Sequence, residues 1–132
     1  MFITLVYLVV DLVNGEVYFA NAGHIPPIYM DAKGGHHMED DQAKGPPLGI
    51  IPEATYGCGH FFLRKKGMVL LYTDGVLEAK DESREIFGFD RLCQILDPNL
   101  DPEMLVDTIV AAVDGFSIGQ GDDLTLACIK RE

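Results

Sequence analysis

Tryptophan is absent from this chain of 132 residues, and both cysteine and basic residues are few. The three cysteines, Cys58, Cys93 and Cys128, lie far apart and form no CxxC pair. Their number and spacing argue against a disulfide framework or a zinc site and predict reduced core residues in a cytoplasmic protein. Ten Lys and Arg against 21 Asp and Glu give a net charge of −11. This balance argues against nucleic-acid binding, because phosphate neutralisation needs clustered cations.

Long hydrophobic runs are also missing. Crossing a bilayer takes roughly 20 consecutive apolar residues, and no run in the sequence is that long. Residues 1–10 are apolar but reach Asp11 without a basic leader or a small-residue cleavage site, so they do not read as a signal peptide. The continuous apolar run 3–10 predicts instead a strand that is covered on both faces. We expect no membrane insertion, and we expect a chain that starts within a core strand to lack a segment upstream.

What the chain does contain is a series of strand patterns separated by turn signals. Asn14-Gly15 is a strong hairpin signal between two of these patterns, and Lys65-Lys66-Gly67 marks a turn between two others. Residues 36–47 are polar and are expected to be flexible and exposed, and "GPPLGI" (45–50) is expected to form a rigid turn. The predicted strands are residues 3–10, 16–21, 27–30, two within 55–73, and 124–130.

Two helices are predicted between the last two strands. The first covers residues 87–96, where Phe89, Leu92, Ile95 and Leu96 share one face. The second begins with Asp101 as N-cap and Pro102 at the first helical position, and Gly115 is expected to end it. Its apolar stripe consists of Leu105, Ile109, Ala112 and Val113. Strands in series followed by segregated helices predict one α+β domain over residues 1–132, with a mainly antiparallel sheet.

Acidic residues stand at the ends of two apolar strand patterns. Asp74 follows the run 68–73, where Gly75 allows a sharp turn, and Asp122 and Asp123 precede the run 124–130. If these strands pair antiparallel, the carboxylates converge, and like charges that close need a cation to neutralise them. Oxygen ligands favour Mg²⁺ or Mn²⁺. The alternative is that Asp-Gly and an Asp before a strand are ordinary turn residues; spacing alone leaves both interpretations open.

Four segments in chain order resemble the metal-dependent type-2C (PPM) protein phosphatases, in their bacterial stage II sporulation protein E-like serine phosphatase branch. The segments are "FANAGHIPPIYM", "GPPLGI", "LLYTDGVLEA" with "FGFDRL", and "GDDLTLACIK". The resemblance runs from about residue 2 to residue 130. It implies a β-sandwich flanked by helices that hydrolyses phosphoserine or phosphothreonine with two Mn²⁺ or Mg²⁺ ions and a metal-activated water.

The resemblance also assigns roles to individual residues. Asp74 and Asp122 match metal ligands, and Asp123, together with Gly75, is expected to support the site or to offer an alternative ligand. The loop 21–24 resembles a turn beside the metal centre, which makes His24 a candidate catalytic residue in contact with substrate phosphate or a metal-bound water. The alternative is that Asn21 and Gly23 shape a tight turn that His24 caps.

Two histidines and the acids after them could also imitate a metal cluster. They are His36, His37, Glu39, Asp40 and Asp41. Neighbouring residues of a strand point to opposite faces, so a solvated loop is favoured here, and Phe87 and Phe89 are expected in the core.

The family's upstream Gly-Asp motif has no counterpart in the sequence, because Asp11 and Asp114 stand in the wrong context. We therefore expect the C-terminal part of a phosphatase domain that is incomplete at its N-terminus and exposes apolar surface, with a homodimer as one outcome. Three functions follow. The first is a phosphatase acting on a phosphorylated protein, such as an anti-anti-sigma factor, in stress or sporulation signalling. The second is a module that binds a phosphoprotein without turnover, and the third is a small-molecule-binding or structural domain.

Overall fold

In a computed structural model of the chain, residues 1–119 and 121–132 are described, and they form eight strands and three helices. No helix in this part of the chain is both long and apolar enough to cross a membrane. In chain order the elements are β1 Leu5–Val10, β2 Glu16–Ala22, β3 Ile28–Asp31, β4 Gly34–His37, β5 Lys44–Gly45, β6 Gly59–Phe62, β7 Met68–Tyr72, α1 Gly75–Glu78, α2 Gly88–Ile95, α3 Pro102–Phe116 and β8 Leu126–Lys130.

The first sheet is built on the hairpin of β1 and β2, with β5 and β6 added beside β2. The predicted hairpin is confirmed: β1 and β2 pair antiparallel, and the N–H of Gly15 donates to the carbonyl of Asp11 over 2.8 Å. Gly15 has φ +82°, and a Cβ there would lie 2.5 Å from the carbonyl oxygen of Leu63. Only glycine fits this turn without strain.

The second sheet has the order β4-β3-β7-β8, and every neighbouring pair in it is antiparallel. The predicted pairing of the two acid-flanked strands is therefore confirmed, with Met68 opposite Lys130 and Tyr72 opposite Leu126. In this register the end of β7 lies beside the start of β8.

Two buried clusters divide the molecule into three layers. Val17, Phe19, Leu63 and Val69 belong to a cluster that joins the two sheets. A larger cluster packs the other face of the second sheet against the helices, with Leu92, Leu105 and Ile109 fully buried. The α+β fold, an antiparallel sandwich flanked by helices, is confirmed.

Strand β1 differs from the prediction that it is covered on both faces. Its burial alternates: Leu8 and Val10 pack against the cluster between the sheets, whereas Leu5, Tyr7 and Val9 are 46%, 62% and 48% exposed. The expectation was wrong because, in the described part of the chain, the helices cover only the second sheet. The outer face of the first sheet therefore presents apolar side chains to solvent.

Residues 36–47 were predicted to be flexible and exposed; the exposure is confirmed for Glu39, Asp41 and Gln42, but the prediction was wrong for other parts of the segment. His36 and His37 belong to β4, and Met38 and Ala43 are buried. The His37 ring stacks on Phe89 with 3.9 Å between centroids, and its Nε2 lies 3.4 Å from the Tyr72 hydroxyl. Burial lowers the pKa of His37 and raises the pKa of Tyr72 to about 12, which favours a pair in which both groups are neutral.

Smaller differences concern a helix end and the cysteines. Gly115 lies inside the last turn of α3, which continues to Phe116 and is capped at Ser117. All three cysteines are free, as expected, but Cys58 is exposed and is not a core residue.

We predict that the chain self-associates through the outer face of the first sheet. The stretch 1–10 carries no charged side chain, and Leu5, Tyr7 and Val9 are exposed on this face, so two copies can bury it against each other about a twofold axis. Sedimentation at micromolar concentration is expected to show a dimer, and Tyr7→Lys is expected to give a monomer. Leu12→Lys, at an exposed hairpin position, is the control; a monomeric wild-type chain contradicts the prediction.

Candidate metal centre

The site is organised by hydrogen bonds between the end of β7 and the start of β8. The N–H of Thr73 donates to the carbonyl of Thr125 over 3.1 Å. The Thr73 hydroxyl accepts from the N–H of Thr125 at 3.1 Å and donates to the carbonyl of Asp123 at 3.3 Å. These bonds hold the backbone after β7 directly beside residues 123–125.

Gly75 lets the two segments approach each other closely. A Cβ at this position would lie 2.7 Å from the carbonyl oxygen of Asp123 and 3.5 Å from the Cβ of Asp122. The first distance is too short for any side chain, so glycine is required for close packing. We expected a sharp turn here, but Gly75 begins α1, with Asp74 at the N-cap.

Asp74, Asp122 and Asp123 are exposed, and their carboxylates are not used by the fold. In the part of the chain that the structure describes, none of the three accepts a hydrogen bond or forms an ion pair with its side chain; Asp74 contributes only its main-chain oxygen, to α1. Elsewhere five aspartates close their own turns by accepting main-chain N–H groups. They are Asp11, Asp31, Asp40, Asp81 and Asp97. The turn-cap interpretation thus fits those five positions better than the strand ends.

A cavity of about 460 Å³ lies on one side of this junction. Gly75, Asp122 and Asp123 line it together with Asp114 near the C-terminal end of α3. Asp114 was set aside at the sequence level because it closes a helix; the fold nevertheless returns it to the same cavity, because the chain turns back into β8 just after α3.

His24 lines a smaller cavity, of about 220 Å³, together with Thr73 and Thr125. Asn21 is buried, and its side chain accepts from the N–H of His24 at 2.8 Å and donates to the carbonyl of His24 at 2.9 Å. Gly23 has φ +68° and packs against Pro47. Asn21 and Gly23 therefore shape a tight turn, as one interpretation held. The His24 ring lies 3.2 Å from the Thr4 hydroxyl through Nδ1, beside the strand ends.

The candidate ligands at this site are of the kind that a hard divalent cation prefers, but there are few of them. Asp74 and Asp122 offer carboxylate oxygens, which Mg²⁺ and Mn²⁺ prefer. Among residues 1–119 and 121–132, no group of three or more His, Cys, Asp or Glu side chains is placed to hold a metal ion. The residues present fit part of a metal site.

Comparison with known proteins places this geometry in a family. The model of the stage II sporulation protein E family matches residues 1–132. The chain belongs to this family. Protein IcfG of Synechocystis is 32% identical over 136 residues, which cover 99% of this chain and 21% of that protein. The phosphoserine phosphatase RsbP of Bacillus subtilis is 32% identical over 89 residues, which cover 67% of this chain and 21% of that protein. The chain thus spans about one fifth of these relatives.

Solved structures agree on the fold. The phosphatase domain of SpoIIE from Bacillus subtilis superposes with a TM-score of 0.73 at 19% identity, over 98% of this chain and 58% of that one. A second structure of that domain was presoaked with Mn and gives a TM-score of 0.69 over 96% of this chain and 56% of that one, at 17% identity. At these identities the likeness shows a shared fold.

Two residues at this candidate site were not assigned to it at the sequence level. Thr73 was counted only as the last residue of a strand, although its hydroxyl joins both segments. Asp114 was recognised but judged by its helix alone. The signal available for Thr73 was a threonine directly before Asp-Gly at a strand end. The location of Asp114 depends on where α3 packs, which the sequence does not indicate.

We predict that Gly75→Ala separates the two strand ends. The added methyl group meets the Asp123 carbonyl, so the variant is expected to lose about 1–3 kcal/mol of unfolding free energy. Gly115→Ala is the matched control, because nothing in the described part of the chain lies within 4 Å of its Cβ; in a helix it is expected to be stabilising by about 0.5–1 kcal/mol. Urea unfolding measures both. Equal stability of Gly75→Ala and wild type would show that the approach is not close.

We also predict that Thr73→Val weakens the junction. The valine keeps the shape but leaves the Thr125 N–H and the Asp123 carbonyl without this partner, which costs about 1–2 kcal/mol. Thr73→Ser keeps the hydroxyl and is expected to retain most of the stability. Thermal unfolding of the two variants decides the point: a valine variant as stable as the serine variant would mean that the hydroxyl is not needed.

Proposed function

We propose that this chain carries part of the catalytic centre of a metal-dependent protein serine/threonine phosphatase, which hydrolyses phosphoserine or phosphothreonine. The observation that carries the proposal is the close approach of Thr73 and Gly75, which flank Asp74, to Asp122 and Asp123 at adjoining strand ends. In the described part of the chain the carboxylates of these three aspartates accept no hydrogen bond and form no ion pair. Family membership supports it, as do the two relatives named phosphoserine phosphatases, RsbP and RsbU of Bacillus subtilis.

In this proposal Asp74 and Asp122 bind Mn²⁺ or Mg²⁺, and Asp123 supports them or replaces one of them. When bound, paired ions of this kind supply acidity to a water molecule and positive charge to the phosphoryl oxygens. Thr73 and Gly75 keep the two carboxylate-bearing segments together. His24, held through its backbone by Asn21, presents its ring beside the strand ends, where it can contact the substrate phosphate.

The substrate is proposed to be a phosphorylated protein of a bacterial signalling pathway, such as an anti-anti-sigma factor in stress or sporulation control. RsbP and RsbU support a phosphoserine substrate by their names. We further propose that residues 1–132 form the C-terminal part of the phosphatase domain and act in the cytoplasm, with the remaining metal ligands supplied from elsewhere in a longer protein.

The second candidate function is a phosphatase-like module that binds a phosphoprotein without turnover. It is favoured by one observation: the described residues gather no group of three or more possible metal ligands. A site with two carboxylates holds a cation weakly and cannot position two ions.

We predict that the 132-residue chain binds Mn²⁺ with a dissociation constant on the order of millimolar, at the weak end of oxygen-ligated sites. It is expected to hydrolyse p-nitrophenyl phosphate very slowly. Broadening of amide NMR signals by Mn²⁺ is expected around residues 73–75 and 122–125, and Asp74→Asn is expected to remove it. Asp107→Asn, on the exposed side of α3, is the control for lost charge.

Broadening centred elsewhere, or unchanged in Asp74→Asn, would overturn the metal assignment. Brisk Mn²⁺-dependent hydrolysis by the isolated chain would show that it needs no further ligands. In a longer protein that supplies the family's upstream Gly-Asp motif, phosphoserine hydrolysis is expected and Asp74→Asn is expected to abolish it. Unaltered Mn²⁺ binding together with absent hydrolysis in that protein would favour the binding module.

A further inference from the structure

A separate cavity, of about 540 Å³, is lined by strands of both sheets. Phe61 and His60 of β6 contribute from the first sheet, and Tyr29 of β3 contributes from the second. Tyr29 pairs with Val69, near the beginning of β7, whereas Asp74 follows the end of β7. The cavity therefore lies toward the end of the sandwich away from the metal centre, and we refer to it as the aromatic cavity.

Aromatic rings form the inner wall of the aromatic cavity. Tyr29 and Phe61 meet edge to face with 5.6 Å between centroids, and Phe61 meets Phe19 in the same way at 6.1 Å. Phe19 is buried, whereas Tyr29 and Phe61 are only partly buried and remain accessible from the cavity. Burial raises the pKa of Tyr29, with Asp31 adding to the rise, so the phenol stays uncharged. Such a wall suits a flat, apolar ring.

Three carboxylates at the rim of the aromatic cavity are already engaged within the protein. Asp31 and Asp40 each accept the main-chain N–H of the residue two positions ahead, at 2.8 and 2.9 Å. Glu39 lies 4.0 Å from the ammonium group of Lys44. The three carboxylates keep their negative charge, but some of their oxygen atoms already accept hydrogen bonds or contact Lys44.

Two cations at the same rim, Lys33 and Arg64, differ from these carboxylates. Both are exposed and line the aromatic cavity. The ion pairs found within residues 1–119 and 121–132 involve other basic side chains, namely Lys44, His60, Lys66 and Arg91. The Lys and Arg groups at this rim are therefore an ammonium and a guanidinium group without an ion-pair partner in the described part of the chain, and such groups recognise anions.

We propose that the aromatic cavity binds a small molecule that joins an aromatic ring to a carboxylate or a phosphate group. The ring lies against Tyr29 and Phe61, and the anionic group is bound by Lys33 and Arg64. The proposal is independent of the phosphatase assignment, because it uses none of the residues at the strand ends that carry Asp74 and Asp122.

Three matched probes test the ring and the charge separately. They are 3-phenylpropionate, 3-phenylpropylamine, which keeps the ring and reverses the charge, and 3-cyclohexylpropionate, which keeps the charge without the aromatic ring. Probes of this size bind at about millimolar concentration at ordinary ligand efficiency. Amide NMR titration of the full chain is expected to show 3-phenylpropionate binding with shifts at residues 29–36 and 60–64, and the other two probes binding more weakly.

Variants then test the cations without touching the core. Lys33→Gln and Arg64→Gln are each expected to weaken the binding of 3-phenylpropionate by about threefold, which is the size of effect that an exposed ion pair has. The double variant is expected to weaken it by about tenfold. Lys65→Gln is the control, because Lys65 is an exposed neighbour of Arg64 that does not line the aromatic cavity. A fall of equal size in Lys65→Gln would show attraction by overall charge and would overturn the assignment.

The remaining outcomes also decide the proposal. Absence of shifts with all three probes, or shifts confined to other residues, would overturn it. Stronger binding of 3-phenylpropylamine would show that Asp31, Glu39 and Asp40 dominate the rim and would overturn the anionic preference. Equal binding of 3-cyclohexylpropionate would overturn the aromatic one. Loss of Mn²⁺ binding in Asp74→Asn is expected to leave all these results unchanged.

Discussion

The antiparallel pairing of β7 with β8 is the constraint on which the rest of the site depends. Because the strands run in opposite directions, the end of one adjoins the start of the other, and residues about 50 positions apart in sequence become neighbours. The Thr73 hydroxyl and the missing side chain of Gly75 then bring the backbones close. Neither carboxylate needs to be positioned by its own contacts, since each is attached to a backbone that is already fixed.

This arrangement leaves the carboxylates of Asp74, Asp122 and Asp123 without a positively charged partner in the described part of the chain. The side chains of Asp74, Asp122 and Asp123 are exposed, and in the described part of the chain none of them accepts a hydrogen bond or forms an ion pair, within a chain of net charge −11. Five other aspartates are satisfied by main-chain donors of their own turns. In the described part of the chain Asp74, Asp122 and Asp123 do not use this arrangement, and neither do Asp107 and Asp114. What distinguishes the first three is their position at adjoining strand ends.

Local patterns predicted the parts of the molecule that depend on chain neighbours. Asn14-Gly15 predicted the hairpin, apolar runs predicted β1, β2, β3, β6, β7 and β8 but not the short β4 and β5, and helical spacing predicted α2 and α3. The pairing of the acid-flanked strands was raised as a condition from the acids at their ends, and the structure contains it. The convergence of the Asp74 and Asp122 carboxylates stays a prediction.

Three of the predictions that were wrong depended on packing between residues distant in sequence. His37 looked like part of a solvated loop because its stacking partner, Phe89, lies 52 positions away on a helix. The outer face of β1 looked buried because an apolar run cannot reveal which layer, if any, packs on it. Gly75 was assigned to a turn, although its reason is the carbonyl of Asp123 across the junction. Tertiary proximity decided each case.

Strand β7 has one further consequence. It is hydrogen-bonded on both edges, to β3 and β8, and Met68, Val69 and Leu70 have no exposed surface. Amide protons in such a strand exchange with solvent only when the domain opens globally, whereas edge strands and loops open locally at much lower free energy. Asp74 thus follows directly on a strand that is expected to open only globally, so its main chain is expected to keep its place while the periphery of the molecule fluctuates.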